Sequence, residues 1–351
     1  MAPFTKVFVT GITGYIGGTT LDLLLKKEST NTKYEFRALV RSPERAEQDI
    51  RPLGIEPVIG SLDDVDIIQR EAKNADVVLH FADANHVPAI KAILRGLSER
   101  SVGDQRRKRP ILIHSSGAGI ILDPANGQYK SEEVYLDDDE PMFKAIPQDR
   151  RHQDVNLEIR SQDLVGKVDT YIVAPPTIWG RGTGPVNKNS IQIPHHIQLS
   201  LRSKQALQVG KGLNVWSRIH VIDLGHLFIK LLEHSLEEPQ ESGVIGTLPK
   251  NTEGYYFAED GEVSYGDVAQ EIAATFKELG FNSSGEVKSV DAENAADVEK
   301  YLEPYSAFLL GSNSRVQAVK ARKLFGWKPE HKDFKRHIHE EIHRQFNLPQ
   351  N

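Results

Sequence analysis

The sequence predicts an α/β protein built on a doubly wound parallel sheet, with a smaller, mixed lobe at its C-terminal end. Short apolar, β-branched runs alternate with segments of helical period in the first half of the chain. That alternation is typical of a parallel sheet whose right-handed crossovers place helices on both faces. A glycine-rich stretch also joins the first strand to the first helix, which favours the Rossmann-type version of this architecture.

Six strands are predicted in this part of the chain, each from a short run of mostly apolar residues. They span residues 6–10, 34–40, 56–59, 76–80, 111–114 and 170–173. Apolar residues recurring at helical spacing predict helices at 15–27, from 43 onward, and at 61–72, 87–97, 153–164, 196–203, 222–233, 266–279, 314–325 and 334–346. Prolines and glycines at 174–184 interrupt the alternation, and the acidic run 137–140 is expected to be a solvated loop.

Length and composition agree with this organisation. The chain has 351 residues, of which 39% are hydrophobic and 26% are charged, ordinary values for a globular protein. We predict a Rossmann-type domain over residues 1–180, to which segments near 211–235 return. Most of residues 181–351 are predicted to form the smaller lobe.

Several classes of protein are disfavoured by composition alone. There are no cysteines, so disulfide frameworks, thiolate nucleophiles and Cys-based zinc sites are excluded. The net charge of −6 provides no basic field for a nucleic acid. No apolar run reaches the roughly 18 residues of a membrane span, and no signal-peptide core precedes the first strand. We therefore expect a cytoplasmic protein that binds neither nucleic acid nor membrane.

Three glycines after the first strand form the most informative pattern in the sequence. Gly11, Gly14 and Gly17 directly follow the run KVFVT and open the first predicted helix. In this context Gly11 permits a tight turn, Gly14 lets the backbone approach a pyrophosphate, and Gly17 lets the helix pack close to the strand. The positive end of the helix would then hold phosphates. The alternative is a glycine-rich turn that binds no ligand.

Later segments follow in a characteristic order. They are HFAD at 80–83, ILIHSSGA at 111–118, PPTIWG at 175–180, IHVIDL at 219–224 and FGWKP at 325–329. Together with the Gly-x-x-Gly-x-x-Gly spacing, they resemble the short-chain dehydrogenase/reductase superfamily, in particular its extended branch of epimerases, dehydratases and ketone reductases. The resemblance covers most of the chain, and it implies that the C-terminal lobe binds the substrate.

The resemblance also implies a bound nicotinamide dinucleotide. Its contacts would come from the glycine turn, the segments after the second, third and fourth strands, and the Pro-rich segment. The residues implied are Gly11, Thr13, Gly14, Tyr15, Ile16, Gly17, Arg41, Ser42, Ser61, Leu62, Phe81, Ala82, Pro175, Thr177 and Ile178.

The end of the second strand favours NADP over NAD. An enzyme that uses NAD needs an acidic side chain here to accept hydrogen bonds from the ribose hydroxyls. This chain has Arg41 instead, followed by Ser42 and, a turn later, Arg45. A guanidinium pairs well with a 2′-phosphate, which a carboxylate would repel. The alternative is a surface arginine that serves solubility.

The implied catalytic residues match only in part. The superfamily uses a serine, a tyrosine and a lysine four residues after the tyrosine, and Ser116 matches the serine. The Tyr-x-x-x-Lys pattern is absent, because alignment on the helix pattern places His152 and Asn156 at those positions. A histidine can perform acid–base catalysis near neutral pH, whereas an asparagine carries no charge. The alternatives are a buried structural serine and an exposed histidine in a polar run.

Three functions remain open at this point. The leading hypothesis is an NADP-dependent oxidoreductase that transfers a hydride to or from a small carbonyl or hydroxyl compound, with Ser116 holding the oxygen and His152 managing the proton. The second is an epimerase or dehydratase that uses the nucleotide as an internal redox relay. The third is a non-catalytic NADP-binding sensor, which would gain support if His152 pointed to solvent.

Two further expectations concern metals and partners. The His195–His196 pair has no carboxylate at ligand spacing, so we expect no metal site. Relatives often dimerise through the two helices that correspond to 87–97 and 153–164. The second of these carries an apolar stripe of Val155, Ile159 and Leu164, which would serve a homodimer or face the core equally well.

Overall fold

The computed structural model describes residues 4–103, 108–237, 248–282 and 284–347. Its strands are β1 (Thr5–Thr10), β2 (Tyr34–Val40), β3 (Glu56–Ile59), β4 (Val77–His80), β5 (Ile111–Ser115), β6 (Tyr135–Leu136), β7 (Asp169–Ala174), β8 (Thr177–Trp179), β9 (Ala206–Val209), β10 (Val215–His220), β11 (Tyr255–Phe257), β12 (Gly261–Ser264), β13 (Val287–Val290) and β14 (Val316–Gln317).

Its helices are α1 (Tyr15–Leu25), α2 (Thr30–Lys33), α3 (Pro43–Arg45), α4 (Val65–Asn74), α5 (Val87–Gly103), α6 (Glu140–Lys144), α7 (Gln153–Ile159), α8 (Gln192–Ser203), α9 (Val221–Leu236), α10 (Tyr265–Glu278), α11 (Ala295–Tyr301), α12 (Pro304–Gly311), α13 (Val319–Phe325) and α14 (Phe334–Phe346). Across the described ranges, none of these helices is both long and apolar enough to cross a lipid bilayer.

The predicted α/β fold class is confirmed. Seven parallel strands form the main sheet in the order β3-β2-β1-β4-β5-β7-β11. Helix α1 packs against α9, while α5 packs against α4 and α7. The chain runs outward from β1 in both directions, so a crevice opens between the ends of β1 and β4, where ligands of such folds bind.

The six predicted strands all belong to this sheet, with ends shifted by at most one residue. The seventh strand, β11, returns from the C-terminal half of the chain to pair with β7. Three smaller sheets, β12-β10-β8, β13-β9 and β14-β6, accompany helices α8 to α14. The mixed C-terminal part of the prediction is thus also present, while the boundary at residue 180 stays a prediction.

The helix predicted at 153–164 is shorter than expected. Helix α7 ends at Ile159, and a separate 3-10 turn covers Gln162–Leu164. Ser161 separates the two because its backbone is extended and its side chain accepts a hydrogen bond from the Asp163 N–H. The apolar stripe of Val155, Ile159 and Leu164 lies in the core, which is the second of the two roles predicted for it, and a homodimer stays a prediction.

The prediction of a solvated acidic loop is wrong for its first residue. Asp137 is 1% exposed, and its carboxylate accepts hydrogen bonds from the N–H groups of Phe257, Val319 and Lys320. Burial raises the pKa of Asp137, which those hydrogen bonds partly offset. The helix predicted at 314–325 is also wrong in its first part. Residues 316–317 form β14, and α13 begins only at Val319. The Val319 N–H donates a hydrogen bond to Asp137.

The Pro-rich segment differs from the prediction in one respect. The strand β7 ends at Ala174, as the two prolines predict. The chain then resumes a strand at once, because Thr177–Trp179 pairs in parallel with Arg218, Ile219 and His220 of β10. The prolines therefore transfer the chain from the main sheet to a smaller one.

Buried histidines make the stability of this fold depend on pH. His80 and His196 are fully buried, and burial lowers the pKa of each to about 4. Their unfolded pKa is near 6.5, so the unfolded chain binds more protons than the native one between roughly pH 6.5 and 4. The free energy of unfolding should fall in that window by about 1.4 kcal/mol per pH unit for each such histidine.

Urea unfolding at a series of pH values between 7 and 4.5 measures this effect. The variant His196→Gln should flatten the decline, because it removes one buried titrating ring. A midpoint that stayed constant over this range would contradict the depressed pKa values.

Candidate functional site

The candidate site lies at the carboxyl ends of β1, β4 and β5, where the strand order of the main sheet reverses. Gly11 follows β1 with φ +80°, and a Cβ there would lie 2.6 Å from the backbone of Phe81 and Ala82. A Cβ on Gly17 would lie 2.5 Å from the Gly11 carbonyl oxygen. The tight turn and close helix packing implied by the glycine spacing are both present.

The start of α1 is suited to a phosphate. Gly14 is the N-cap residue, it makes no side-chain cap, and the first turn of α1 carries no acidic residue. A Cβ on Gly14 would meet only the Gly11 carbonyl within 4 Å, so the other side of the turn is open. The uncapped positive end of α1 can therefore hold an anion, and these residues fit the pyrophosphate of a dinucleotide.

Side chains around this turn are used for structure. The Tyr15 hydroxyl donates to the carbonyl oxygens of Trp179 and Gly180, at 3.0 and 2.7 Å, and Ile16 packs against the main core. The Thr13 carbonyl accepts the Asn187 N–H at 3.2 Å. Any contact of Tyr15 and Ile16 with a nucleotide is thus left largely to their backbone, whereas for Thr13 it is the backbone carbonyl that is already hydrogen-bonded.

The segment 180–189 lies across the first turns of α1. Besides the contact at Asn187, the Thr183 N–H donates to the Thr19 hydroxyl at 3.3 Å. A Cβ on Gly184 would lie 2.6 Å from the backbone of Gly18. This segment connects β8 to the C-terminal lobe, so the lobe is anchored directly beside the glycine turn.

The residues predicted to select the nucleotide lie together at the ends of β2 and β3. The Gly60 N–H donates to the Val40 carbonyl at 3.1 Å, which places Arg41 beside Ser61. Arg41 is exposed, and in the part of the chain that the structure describes it has no ion-pair partner within 4 Å. Ser42 accepts the Arg45 N–H and caps α3, while the Ser61 hydroxyl donates to Asp64; Leu62 packs on the core.

The Pro-rich segment is tied to the loop that follows β5. The Ala118 N–H donates to the Pro175 carbonyl at 2.9 Å. Thr177 is fully buried and its hydroxyl faces Tyr265 of the C-terminal lobe, whereas Ile178 is half-buried against the main core. Of these three predicted cofactor contacts, Pro175 and Thr177 are buried, and Ile178 is the most exposed.

His152 faces the loop after β5. It is the N-cap residue of α7, with φ +69°, a conformation rarely adopted by non-glycine residues. Its Nε2 would lie 3.1 Å from a Cβ on Gly117 and 3.4 Å from one on Gly119. Burial lowers the pKa of His152 to about 4, helped by the positive charge of Arg151. The ring is therefore neutral at pH 7 and turned inward.

Ser116 and Asn156 lie together, with a tyrosine that sequence reasoning missed. The buried Tyr255 hydroxyl faces both side chains, and burial raises the pKa of Tyr255 while Ser116 and Asn156 lower it less. No polar atom of these three side chains has a hydrogen bond of ordinary geometry. Tyr255 reaches them from β11, more than ninety residues along the chain from Asn156, so no local pattern could have indicated it.

One group of side chains within the described ranges has the composition of a metal site: His220, Asp223 and His331. The His220 and His331 rings stack in parallel, with centroids 3.9 Å apart. Asp223 accepts from the backbone N–H of His331 and pairs with its Nδ1. The nitrogen and oxygen atoms of these three side chains that could bind an ion lie within 4.8 Å of one another. The pairing of Asp223 with His331 links α9 to the segment before α14.

Comparison with known proteins decides the family. The NAD(P)H-binding family model matches residues 11–164. The oxidase ucsJ of Acremonium sp is 32% identical over 334 residues, which cover 92% of each chain. This chain belongs to the extended short-chain dehydrogenase/reductase superfamily. It is an oxidoreductase-type enzyme with an NAD(P)-binding domain.

Other members of the superfamily show the extent of the likeness. A farnesyl-dihydroquinoline-oxide ketoreductase of Stigmatella aurantiaca is 35% identical, but over 77 residues that cover 22% of this chain and 21% of the relative. Among solved structures, UDP-glucose 4-epimerase of Thermotoga maritima has a TM-score of 0.63 at 13% identity, covering 97% of this chain and 99% of the epimerase. The dTDP-glucose 4,6-dehydratase DesIV of Streptomyces venezuelae has 0.64 at 17%, covering 98% of each. Such structural likeness shows the superfamily fold.

Proposed function

We propose that this protein is an NADP-dependent oxidoreductase that interconverts a small hydroxyl compound and its carbonyl product. The observation that carries the proposal is the inward-facing, neutral His152 at the end of the nucleotide crevice. NADP, when bound, supplies the acceptor or donor of the hydride. The residues of the chain then have to bind the nucleotide, hold the substrate oxygen and move one proton.

His152 is suited to accepting that proton. Its Nδ1 lies 2.8 Å from Asn85 Oδ1, so Nδ1 is the donor and Nε2 keeps its lone pair. Because burial and Arg151 lower the pKa of His152 to about 4, Nε2 is unprotonated at neutral pH and can accept the hydroxyl hydrogen of an alcohol. In the reverse direction the protonated ring returns that proton to the carbonyl oxygen.

Ser116 is the proposed hydrogen-bond partner of the substrate oxygen, and Asn156 the proposed partner of a ribose hydroxyl. Both side chains face the Tyr255 hydroxyl. Their unpaired polar atoms leave the cluster free to rearrange when a ligand supplies new partners. Tyr255 thus offers these two residues a resting contact inside the protein.

A non-catalytic NADP sensor is the second candidate, and the buried, uncharged Asn156 at the lysine position favours it. The inward orientation of His152 favours the enzyme. The internal redox relay of an epimerase is disfavoured by Arg218, the cation that a nucleoside diphosphate would need in the second lobe. Its guanidinium is paired with the buried Asp260 and lies over the Trp179 and Phe334 rings.

Calorimetric titration with NADPH, NADP⁺, NADH and NAD⁺ tests the nucleotide preference. We expect the phosphorylated pair to bind about 10- to 100-fold more tightly, as charge-assisted hydrogen bonds worth roughly 1–3 kcal/mol predict. Arg41→Ala should abolish that preference and leave NAD(H) affinity unchanged, because Arg41 is exposed and would contact only the 2′-phosphate.

The matched control is Arg45→Ala, which removes a nearby arginine that is paired with Asp49 at 3.6 Å. It should retain most of the preference. Equal affinity of the wild type for both nucleotide pairs would contradict the role of Arg41. Tight binding of NADP(H) with no turnover against a panel of alcohols and carbonyl compounds would favour the sensor.

A further inference from the structure

We infer that Asp83 and Asn85 are positioning residues that determine which ring nitrogen of His152 carries the proton. The inference rests on the proposed function, since it gives His152 the tautomer that proton abstraction needs. Neither residue belongs to the Ser, Tyr and Lys set of the superfamily. Both lie in the short connection between β4 and α5.

The direction of each hydrogen bond follows from chemistry. The Asp83 carboxylate can only accept, and its Oδ1 lies 3.2 Å from Asn85 Nδ2 and 2.9 Å from the Asn85 backbone N–H. The amide NH₂ of Asn85 must therefore face Asp83, which turns the amide oxygen towards His152. That oxygen can only accept, so His152 Nδ1, at 2.8 Å, must carry the hydrogen.

The consequence for His152 is a directed lone pair. With Nδ1 protonated, Nε2 is the acceptor, and Nε2 is the nitrogen that faces Gly117 and Gly119. The absence of a side chain at these two glycines lets the Nε2 edge of the ring approach the loop after β5 closely. The alternative tautomer would present an N–H at the same place, which cannot accept a proton.

Two further features hold this arrangement. The connection between β4 and α5 is also held to the segment that follows β3, because His86 Nε2 contacts Asp63 at 3.1 Å. The Nδ1 atom of His86 accepts the Ala89 N–H in the first turn of α5. The left-handed backbone of His152 also directs its ring across to Asn85, and such strain persists where the surroundings over-determine it.

The charged and titratable groups around the ring are few. Asp83 raises the pKa of His152, Arg151 lowers it, and the electrostatic influence of His152 reaches the buried His114 of β5. Asn85 itself is neutral. It transmits the orienting effect of the carboxylate without placing a negative charge beside the ring, and a charge there would favour imidazolium.

Two substitutions at one position separate the orienting role from loop anchoring. Asn85→Leu removes the acceptor, so His152 should shift to the Nε2–H tautomer and turnover should fall at least about tenfold, as an incorrect tautomer does in other histidine-dependent enzymes. Asn85→Asp keeps an acceptor, so it should retain the Nδ1–H tautomer and most of the turnover. The acid limb of its pH–turnover profile should move to higher pH, because the new carboxylate stabilises the imidazolium form of His152.

The tautomer is read directly by NMR of histidine-selective ¹⁵N-labelled protein, with the His152 signals assigned from their loss in His152→Gln. The control is Asn282→Leu, an asparagine that makes comparable bonds in an exposed loop of the other lobe and should change neither the His152 signals nor turnover. Nδ1–H in the wild type and Nε2–H in Asn85→Leu support the inference.

Nε2–H in the wild type, or an unchanged tautomer in Asn85→Leu, would overturn it. An Asn85→Asp variant whose acid limb does not move would also count against it. The NMR readings of the tautomer need no turnover, so they remain distinct from failure of the proposed function, which would appear as full activity in His152→Gln.

Discussion

Replacing His152 by glutamine is expected to lower kcat by about 100- to 10,000-fold, the usual contribution of a positioned acid–base group. Glutamine can still accept or donate a hydrogen bond, but its amide cannot take up a proton from a substrate hydroxyl. Affinity for NADP(H) should stay within about twofold of the wild type, because the glycine turn and Arg41 are untouched. Steady-state kinetics and calorimetry on the same preparation measure both quantities.

The backbone of His152 provides a control for folding. Its positive φ strains a non-glycine residue, so His152→Gly should keep or raise the thermal midpoint while it removes the activity. Lys204→Gly relieves a comparable strain at the C-cap of α8 and should leave activity intact. Residual activity close to wild type in both His152 variants would assign the proton transfer to another group.

Replacing Gly11 by alanine is expected to abolish nucleotide binding. The new Cβ would meet the Phe81 and Ala82 backbone at 2.6 Å, a distance that requires the turn after β4 to move. That turn carries Asp83 and Asn85, so both the phosphate end and the His152 end of the site would be displaced. We expect a loss of NADP(H) affinity of more than about 100-fold, or a loss of several kcal/mol of stability if the sheet itself yields.

Gly54→Ala is the matched control, since Gly54 has φ +76° and nothing within 4 Å of a Cβ. In both variants a Cβ is placed on a left-handed backbone, which costs about 1 kcal/mol of stability. Only in Gly11→Ala does the Cβ also collide with the backbone of a neighbouring segment. The differences between the two variants in thermal midpoint and in NADP(H) affinity measure the effect of the close contact between Gly11 and the Phe81–Ala82 backbone. Equal behaviour of the two variants would show that Gly11 is needed only for its backbone conformation.

The two halves of the site differ in how far they follow the superfamily. The glycine turn retains the expected spacing and geometry, whereas the residues proposed for proton transfer differ in type. The alignment proposed from the sequence places His152, the N-cap residue of α7, and the buried Asn156 where the superfamily has its tyrosine and lysine. A loss of the lysine charge removes the usual means of lowering a tyrosine pKa, and a histidine needs no such help because its unperturbed pKa is already lower.

Local sequence patterns determined much of this protein. Strand hydrophobicity and helical period located the six predicted strands of the main sheet, since both arise from neighbours within a few residues. Gly11 and Gly17 were identified for the same reason: a tight turn between a strand and a helix is a local demand. The alignment that places His152 and Asn156 at the tyrosine and lysine positions also depended only on local spacing, and it stays a prediction.

Only the tertiary structure decided the contacts between distant segments. Asp137 is buried because N–H groups from 257, 319 and 320 converge on it, and no property of an acidic run reveals such partners. Tyr255 reaches Ser116 from a strand supplied by the other half of the chain, and Asn85 reaches His152 across 67 residues. The physical reason is that burial and hydrogen-bond direction belong to the packed sheet, whereas hydrophobic period belongs to the single element.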